Sequence, residues 1–330
     1  MKYVYVLVSD EKDYYLEECL ISMVSLRKHD SAANIILIMD DRTEKSLTGF
    51  RKMVREEASR VIVRQFEETV SAKVRSRLLK TSLRRLVEGC FLFIDSDTVI
   101  VDTLDLPENK DMVLGMVLDK HMRISEHYMD KYIHNNAKKL SYSEGYQGRH
   151  FNSGVIYVGD DEIAYRFFDL WHQLYLESMK QGIEVDQTSL NEANARMHGV
   201  ITELDGKWNV QINCGMKYLS EAKILHYLGY QPTNAQNIYF NSLPFQLCDT
   251  KYFDEMRRQQ GITGDILQIL EHPKRSFKVV TVVPVDCVAY TILFSNHMRL
   301  LKFLYVKCRR LYDIMEFLFS KLFFLLYKRV

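Results

Sequence analysis

The chain has 330 residues, 47% of them hydrophobic, which is enough to bury one large α/β core or two small ones and excludes a disordered polypeptide. Lys and Arg number 44 against 43 Asp and Glu, so no overall basic excess argues for nucleic acid as a partner. The six cysteines, at 19, 90, 214, 248, 287 and 308, form no C-x-x-C pair, which excludes zinc-finger spacing and fits a reducing compartment.

The apolar run from Tyr3 to Val8 is too short for the core of a secretory leader and reads as a first strand. No stretch of 18 uncharged apolar residues marks a transmembrane helix. Tyr14 to Lys28 repeats Tyr15, Cys19, Met23 and Leu26 at helical spacing, and NIILIM from Asn34 to Met39 is a second buried strand. Thr43 to Ala58 reads as a helix and Val61 to Phe66 as a third strand. A helix follows from Val70 to Glu88, with Thr69 as its cap and Gly89 as its stop. CFLFI, from Cys90 to Ile94, is the fourth strand. After Leu106 the pattern loosens into a short strand from Met112 to Leu118 and a polar segment from Asp119 to Arg149. HFNSGVIYV is a further strand, followed by helices over Ile163 to Gln181 and Asp186 to Arg196 and by the loop LDGKWNVQ. Strands alternating with helices at this spacing predict a mainly parallel sheet with helices on both faces. Ligands of such sheets sit beyond the carboxyl ends of the strands, where Ser9, Asp10, Asp95 and Asp97 fall.

The fourth strand ends in Asp95-Ser96-Asp97. Carboxylates are costly to bury unpaired, so two of them closing an apolar strand mark solvent or a ligand. In an extended chain Asp95 and Asp97 face the same side, and Ser96 points elsewhere. By itself an Asp-x-Asp also fits a solvated turn. Four further pieces follow in order: FNSG at 151 to 154, DQTSLN at 186 to 191, KWNVQ at 207 to 211 and ILHYLGYQP at 224 to 232.

Together with Ser9-Asp10 and KVRSRL at 73 to 78, this ordered set resembles the retaining nucleotide-sugar glycosyltransferases of family 8, over roughly residues 1 to 232. The resemblance implies a GT-A-like α/β fold and transfer of a hexose from a UDP-sugar to a glycan or lipid-linked glycan. It implies that Val8, Ser9 and Asp10 hold the uracil and ribose end of the donor, with Ser96 and Gly229 also at the donor and Arg77 reaching its sugar. Asp95, Asp97 and His226 match the metal ligands, and Asn152, Asp186 and Gln187 match the residues around the transferred sugar. The ligand set suits Mn²⁺, or Mg²⁺, as a Lewis acid for the departing diphosphate. No second carboxylate is clearly placed as a nucleophile, so same-face substitution with Gln187 beneath the anomeric carbon is the implied route. The family's lysine-proline, six residues after its histidine, is replaced by Gln231 and Pro232 one residue early; phosphate contact then falls to Lys73, Lys217 or Lys223.

The resulting organisation is a domain over residues 1 to 245, with a nucleotide-binding half to 106 and a sugar and acceptor half from 107. A connecting segment covers 246 to 295 and a basic, aromatic helical tail 296 to 330. From His297 onward eight Lys/Arg stand against two Asp/Glu, a net of +6, leaving 36 basic and 41 acidic residues before it. Eight aromatics interleave with those cations, the mixture of segments lying at an anionic membrane surface, which implies a cytoplasmic, peripheral enzyme. The competing expectation is a helix packed onto the domain or a dimer contact.

Plainer readings stand beside each motif. His226 in isolation is a structural histidine, Trp208 a packing residue, and Asp160 and Asp161 a turn and helix start. The run Lys73, Arg75, Arg77, Lys80, Arg84, Arg85 is expected to be mostly a solvated helix face, with Arg77 its functional member. His121, His127 and His134 suit no compact metal site and receive no role. FIDSDTVI also approximates the signature of haloacid-dehalogenase-like phosphatases, with Asp95 as nucleophile and Gly159-Asp160-Asp161 supplying magnesium acids. That signature normally opens its fold, whereas about ninety residues precede it here. A non-catalytic nucleotide-sugar binding module is the third reading.

Overall fold

Alternate residues of the first strand feed two different cores, and this two-sidedness sets the architecture. In β1 (Lys2–Leu7) Tyr3, Tyr5 and Leu7 enter one apolar cluster while Val4 and Val6 enter another. The computed structural model describes residues 1–106, 112–127, 129–212, 218–230 and 245–276, with isolated residues between 303 and 318.

After β1 come α1 (Tyr15–His29), β2 (Asn34–Asp40), α2 (Asp41–Lys45), α3 (Met53–Glu56) and β3 (Arg60–Arg64). Then follow α4 (Ala72–Thr81), α5 (Leu83–Leu86), β4 (Phe91–Ile94) and β5 (Thr98–Ile100). The second half contributes β6 (Leu114–Leu118), α6 (Asp130–Leu140), β7 (Phe151–Val158), α7 (Glu162–Lys180), α8 (Asp186–Arg196), β8 (Ile201–Glu203), β9 (Val210–Gln211) and β10 (Ile224–His226). Two short helices, α9 (Lys251–Gln259) and α10 (Gly264–Glu271), close the described chain before the tail.

Seven strands form one sheet in the order β3-β2-β1-β4-β7-β6-β8. Pairing is parallel from β3 to β4 and between β6 and β8; β7 is the reversed strand, antiparallel to both neighbours. One face carries α1, α9 and α10 through Leu16, Leu20, Phe253, Met256 and Ile266. The other carries α4, α5, α7 and α8 through Leu79, Leu83, Phe167, Trp171 and Leu190. The expected mainly parallel sheet with helices on both faces is therefore present. A second sheet, β5-β10-β9, is built beyond the end of β4.

Several element boundaries differ from the sequence expectation for physical reasons. The helix expected over Thr43 to Ala58 is broken: α2 ends at Lys45, and Gly49 turns the chain through φ +53, a left-handed conformation that a continuous helix cannot contain. The next helix begins at Ala72, capped by Ser71 rather than Thr69, because the Ser71 hydroxyl accepts the Val74 N–H at 3.3 Å. It is interrupted at Ser82, and Gly89 stops the segment with φ +71. Residues given above as a connector are partly core: Leu247, Cys248, Phe253 and Met256 are buried in the same cluster as Tyr5 and Leu20. Trp208 is buried in that cluster too, the packing role expected of it. Among the described residues Cys19, Cys90 and Cys308 are free thiols.

Candidate active site

The acids at the end of β4 are held by main-chain bonds. The Asp95 N–H donates to the Gly154 carbonyl at 2.8 Å, extending the β4·β7 ladder by one residue, and the Asp97 carbonyl accepts the Tyr227 N–H at 3.1 Å. The chain then starts β5, whose Thr98 lies opposite His226 in antiparallel register. That register carries a distant histidine against the acids. His226 Nε2 lies 3.3 Å from Asp97 Oδ1, and the ligand atoms of Asp95, Asp97 and His226 all fall within 4.8 Å of one another.

The histidine is oriented from behind. Asn209 donates its amide N–H to Asn152 Oδ1 at 2.9 Å, so its own carbonyl oxygen is left to accept from His226 Nδ1, also at 2.9 Å. This assigns a proton to Nδ1 and aims Nε2 at Asp97, the orientation in which a histidine could join the carboxylates around a metal. Asn152 Nδ2 in turn donates to Asp119 Oδ1 at 2.9 Å, and His127 Nε2 lies 3.0 Å from Asp119 Oδ2. Burial raises the cost of ionising Asp97, yet His226 and Lys80 outweigh it and hold its pKa below the usual carboxylate range. Asp95 is shifted upward by burial and by Asp97, with Lys80 opposing. A hard divalent cation fits this set of two carboxylates and one oriented imidazole.

The glycine of FNSG acquires a reason from this packing. A Cβ on Gly154 would stand 2.8 Å from His226 Nδ1 and 2.9 Å from Asn152 Oδ1 and would collide with His226 Cε1. Gly154→Ala is expected to push the imidazole off Asp97 and lower turnover about 100-fold, the penalty typical of a displacement near 1 Å. A Gly154→Ala enzyme with wild-type kcat would show that His226 placement is unimportant.

A cavity of about 400 Å³ opens beside the acids, at the carboxyl ends of β1 and β4. Of the residues expected at the donor, Val8, Arg77 and Ser96 line it, with Tyr15 and Lys73 also on its wall. Ser9 and Asp10 do not. The Ser9 hydroxyl donates to Asp13 at 2.6 Å, and Asp10 accepts the Lys12 N–H at 2.7 Å within a surface turn. Gly229, at φ +85, backs onto Asp97, whose Oδ2 would be 3.9 Å from a Cβ there. Glu18 of α1 is fully buried on the cavity wall, and neither of its oxygens has a hydrogen-bond partner among the described residues. Burial first, and then Asp97, raise its pKa well above the usual range.

Among the residues expected around the transferred sugar, Asp186 opens α8 and is buried. Its Oδ1 lies 3.0 Å from Arg77 Nε, and its Oδ2 accepts from the Ser153 hydroxyl at 3.0 Å. Burial opposes its ionisation, but Arg77 and Lys80 keep its pKa low. Gln187 follows in the first turn of α8, half-buried. Of the three candidate phosphate lysines, Lys73 is on the cavity wall and pairs with Glu184 at 3.2 Å across an exposed contact, Lys223 is engaged by Asp102 at 3.1 Å, and Lys217 lies outside the described residues with Gln231 and Pro232.

The expectation of a mostly solvated basic run is corrected. Arg75 is buried against Asp40, and Arg84 is enclosed by the Gly89 carbonyl at 2.7 Å and by the Phe91 and Tyr165 rings. Lys80 is buried with Nζ 3.1 Å from both Asp95 oxygens. Fixed acceptors and aromatic faces make such burial tolerable. Asp119 and His127 are also members of the network that received no role from the sequence. The phosphatase reading loses its magnesium acids. Ile94 pairs with Val155 and Phe91 with Val158, so Asp160 and Asp161 lie at the far end of the β4·β7 ladder, where Asp161 caps α7 and Asp160 meets Arg84.

Among solved structures, an active-site mutant of LgtC is similar at 14% identity, with 80% of this chain and 98% of that one covered and a TM-score of 0.50. Another, the galactosyltransferase LgtC with donor and acceptor sugar analogs, has 14% identity, 72% and 90% coverage and a TM-score of 0.47. Mouse xyloside xylosyltransferase 1 in apo form has 15% identity, 68% and 96% coverage and a TM-score of 0.45. No curated protein sequence matches the chain. The mostly parallel sheet with one reversed strand is that of the GT-A fold, and the description "Glycosyl transferase family 8" matches residues 6–232, more than half of the sequence. The chain belongs to glycosyl transferase family 8.

Proposed function

We propose that this glycosyltransferase moves a hexose from a UDP-sugar to a hydroxyl of a glycan or lipid-linked glycan, with Mn²⁺ or Mg²⁺ and with retention at the anomeric carbon. The observation that carries the reading is the Asp95, Asp97, His226 cluster beside a cavity of about 400 Å³, a volume suited to a small-molecule ligand. When bound, the divalent ion supplies Lewis acidity to the departing diphosphate. Asp95, Asp97 and His226 would hold it. Val8 and Tyr15 offer apolar and aromatic surface to the nucleoside, and Lys73 offers a cation to the phosphates in place of the family's lysine. Asp186, both oxygens engaged by Arg77 and Ser153, is a poor candidate nucleophile, which favours same-face substitution with Gln187 as a dipole near the anomeric carbon. A panel of UDP-hexoses at fixed Mn²⁺ should yield UDP from one donor, abolished by chelator. Tight UDP-sugar binding without UDP release in the presence of glycan acceptors would instead favour the binding module.

The tail completes the proposal by placing the enzyme at the cytoplasmic membrane face, beside a lipid-linked acceptor. Supporting it are the net +6 after His297 and the exposure of Phe303, Leu311, Ile314 and Leu318. No helix among the described residues is long and apolar enough to cross a membrane. Each basic residue near an anionic surface contributes about 1 kcal/mol. A chain ending near Tyr290 is expected to lose sedimentation with anionic vesicles and keep UDP release. Equal vesicle binding by the full and shortened chains would replace the anchor with a packed helix.

A further inference from the structure

Lys80 spans the two acidic clusters of the site. Its Nζ contacts Asp95 Oδ1 and Oδ2 at 3.1 Å each and Ser153 Oγ at 3.2 Å, and it lies 3.8 Å from Asp186 Oδ2 and 4.9 Å from the centroid of the Phe93 ring. The residue is 2% exposed, so its ammonium has little water to fall back on. Both oxygens of one candidate metal ligand are thus shared with a buried cation. A divalent ion at Asp95, Asp97 and His226 would sit within a few ångströms of that fixed positive charge, and like charges at such distances repel strongly in a partly buried site.

We propose that Lys80 is a positioning residue and a built-in counter-cation. It holds Asp95 and Asp186 in place before any metal arrives and weakens divalent binding to the free enzyme, so that the metal binds well only together with the anionic diphosphate of the donor. The inference rests on the metal reading given under the proposed function. Arg77 complements it, pairing with Asp186 and leaving Asp95 to Lys80. By linkage, the same charge that opposes the metal makes metal and nucleoside diphosphate mutually dependent.

The test is Mn²⁺ binding to the full chain, read as free-ion paramagnetic resonance, with and without UDP and corrected for Mn²⁺ complexed by UDP in solution. Without UDP, Lys80→Met should bind Mn²⁺ about tenfold tighter than wild type or better, as expected from removing one nearby charge. Lys80→Arg, which keeps the charge, should stay within about threefold. UDP should raise Mn²⁺ affinity at least about tenfold in wild type and less in Lys80→Met. Unchanged or weaker Mn²⁺ binding by Lys80→Met overturns the inference while leaving the metal site intact. Absence of Mn²⁺ binding by wild type even with UDP overturns the metal reading and this inference together. Should loss of the buried charge prevent folding of Lys80→Met, Lys80→Gln keeps a donor to Asp95, and the wild-type measurement decides by itself: coupling below about tenfold sinks the proposal.

Discussion

Asp97→Asn is expected to lower metal-dependent UDP release by about 100- to 1000-fold, the range for removing one preorganised electrostatic contact from a site of developing charge. The side chains are nearly isosteric, and the Asp97 main-chain carbonyl still accepts from Tyr227, so the melting temperature should stay close to wild type. What changes is the charge. Asp97 is the acid whose pKa the surroundings hold low, and it faces His226 Nε2 directly. Turnover measured at saturating donor, beside a thermal melt, separates the two effects. Full activity in Asp97→Asn would end the metal-site reading.

Gln187→Ala is expected to reduce kcat by about 10- to 1000-fold with little change in donor KM, since the interaction it removes belongs to the transition state. The helix start should survive the change, because the Gln187 carbonyl still accepts from Asn191 Nδ2 at 2.9 Å. Intact-mass measurement after mixing with donor should show no sugar on the protein. A glycosyl adduct on Asp186 would replace same-face substitution with double displacement.

The sheet was legible because its inner strands are continuous apolar runs bounded by polar turns, as in NIILIM and CFLFI. Asp95 and Asp97 stood out because carboxylates closing such a run mark solvent or a ligand, and the ordered motifs that follow decided between the two. His226 was legible only through the ordered motifs; on an apolar strand a histidine's usual role is structural, and its meaning comes from Asn209, whose position beside it depends on the small second sheet. Lys80 was missed although a signal existed. Lys73, Arg77 and Lys80 recur at intervals of four and three, one stripe of α4 that turns toward the cavity, Asp186 and Asp95, and Arg84 continues the spacing onto α5 to reach the Gly89 carbonyl. A lysine between Leu79 and Thr81 reads as solvent-facing until its acceptors are known, and those acceptors come from the end of β4, from β7 and from α8. The broken helix after β2 was missed for a simpler reason: a lone glycine inside a polar helical pattern is often tolerated, and here Gly49 takes a left-handed φ.

The reversed strand also constrains how the enzyme breathes. β7 pairs with β4 along Ile94↔Val155 to Phe91↔Val158 and with β6 on its other edge, so it welds the segments on either side of residue 106 into one ladder. Clamshell opening about that point would tear main-chain bonds in the middle of the core. Entry and exit of reactants therefore fall to segments outside the sheet. In native-state hydrogen exchange, the inter-strand amides of β4 and β7 should open together, and only when the whole structure unfolds.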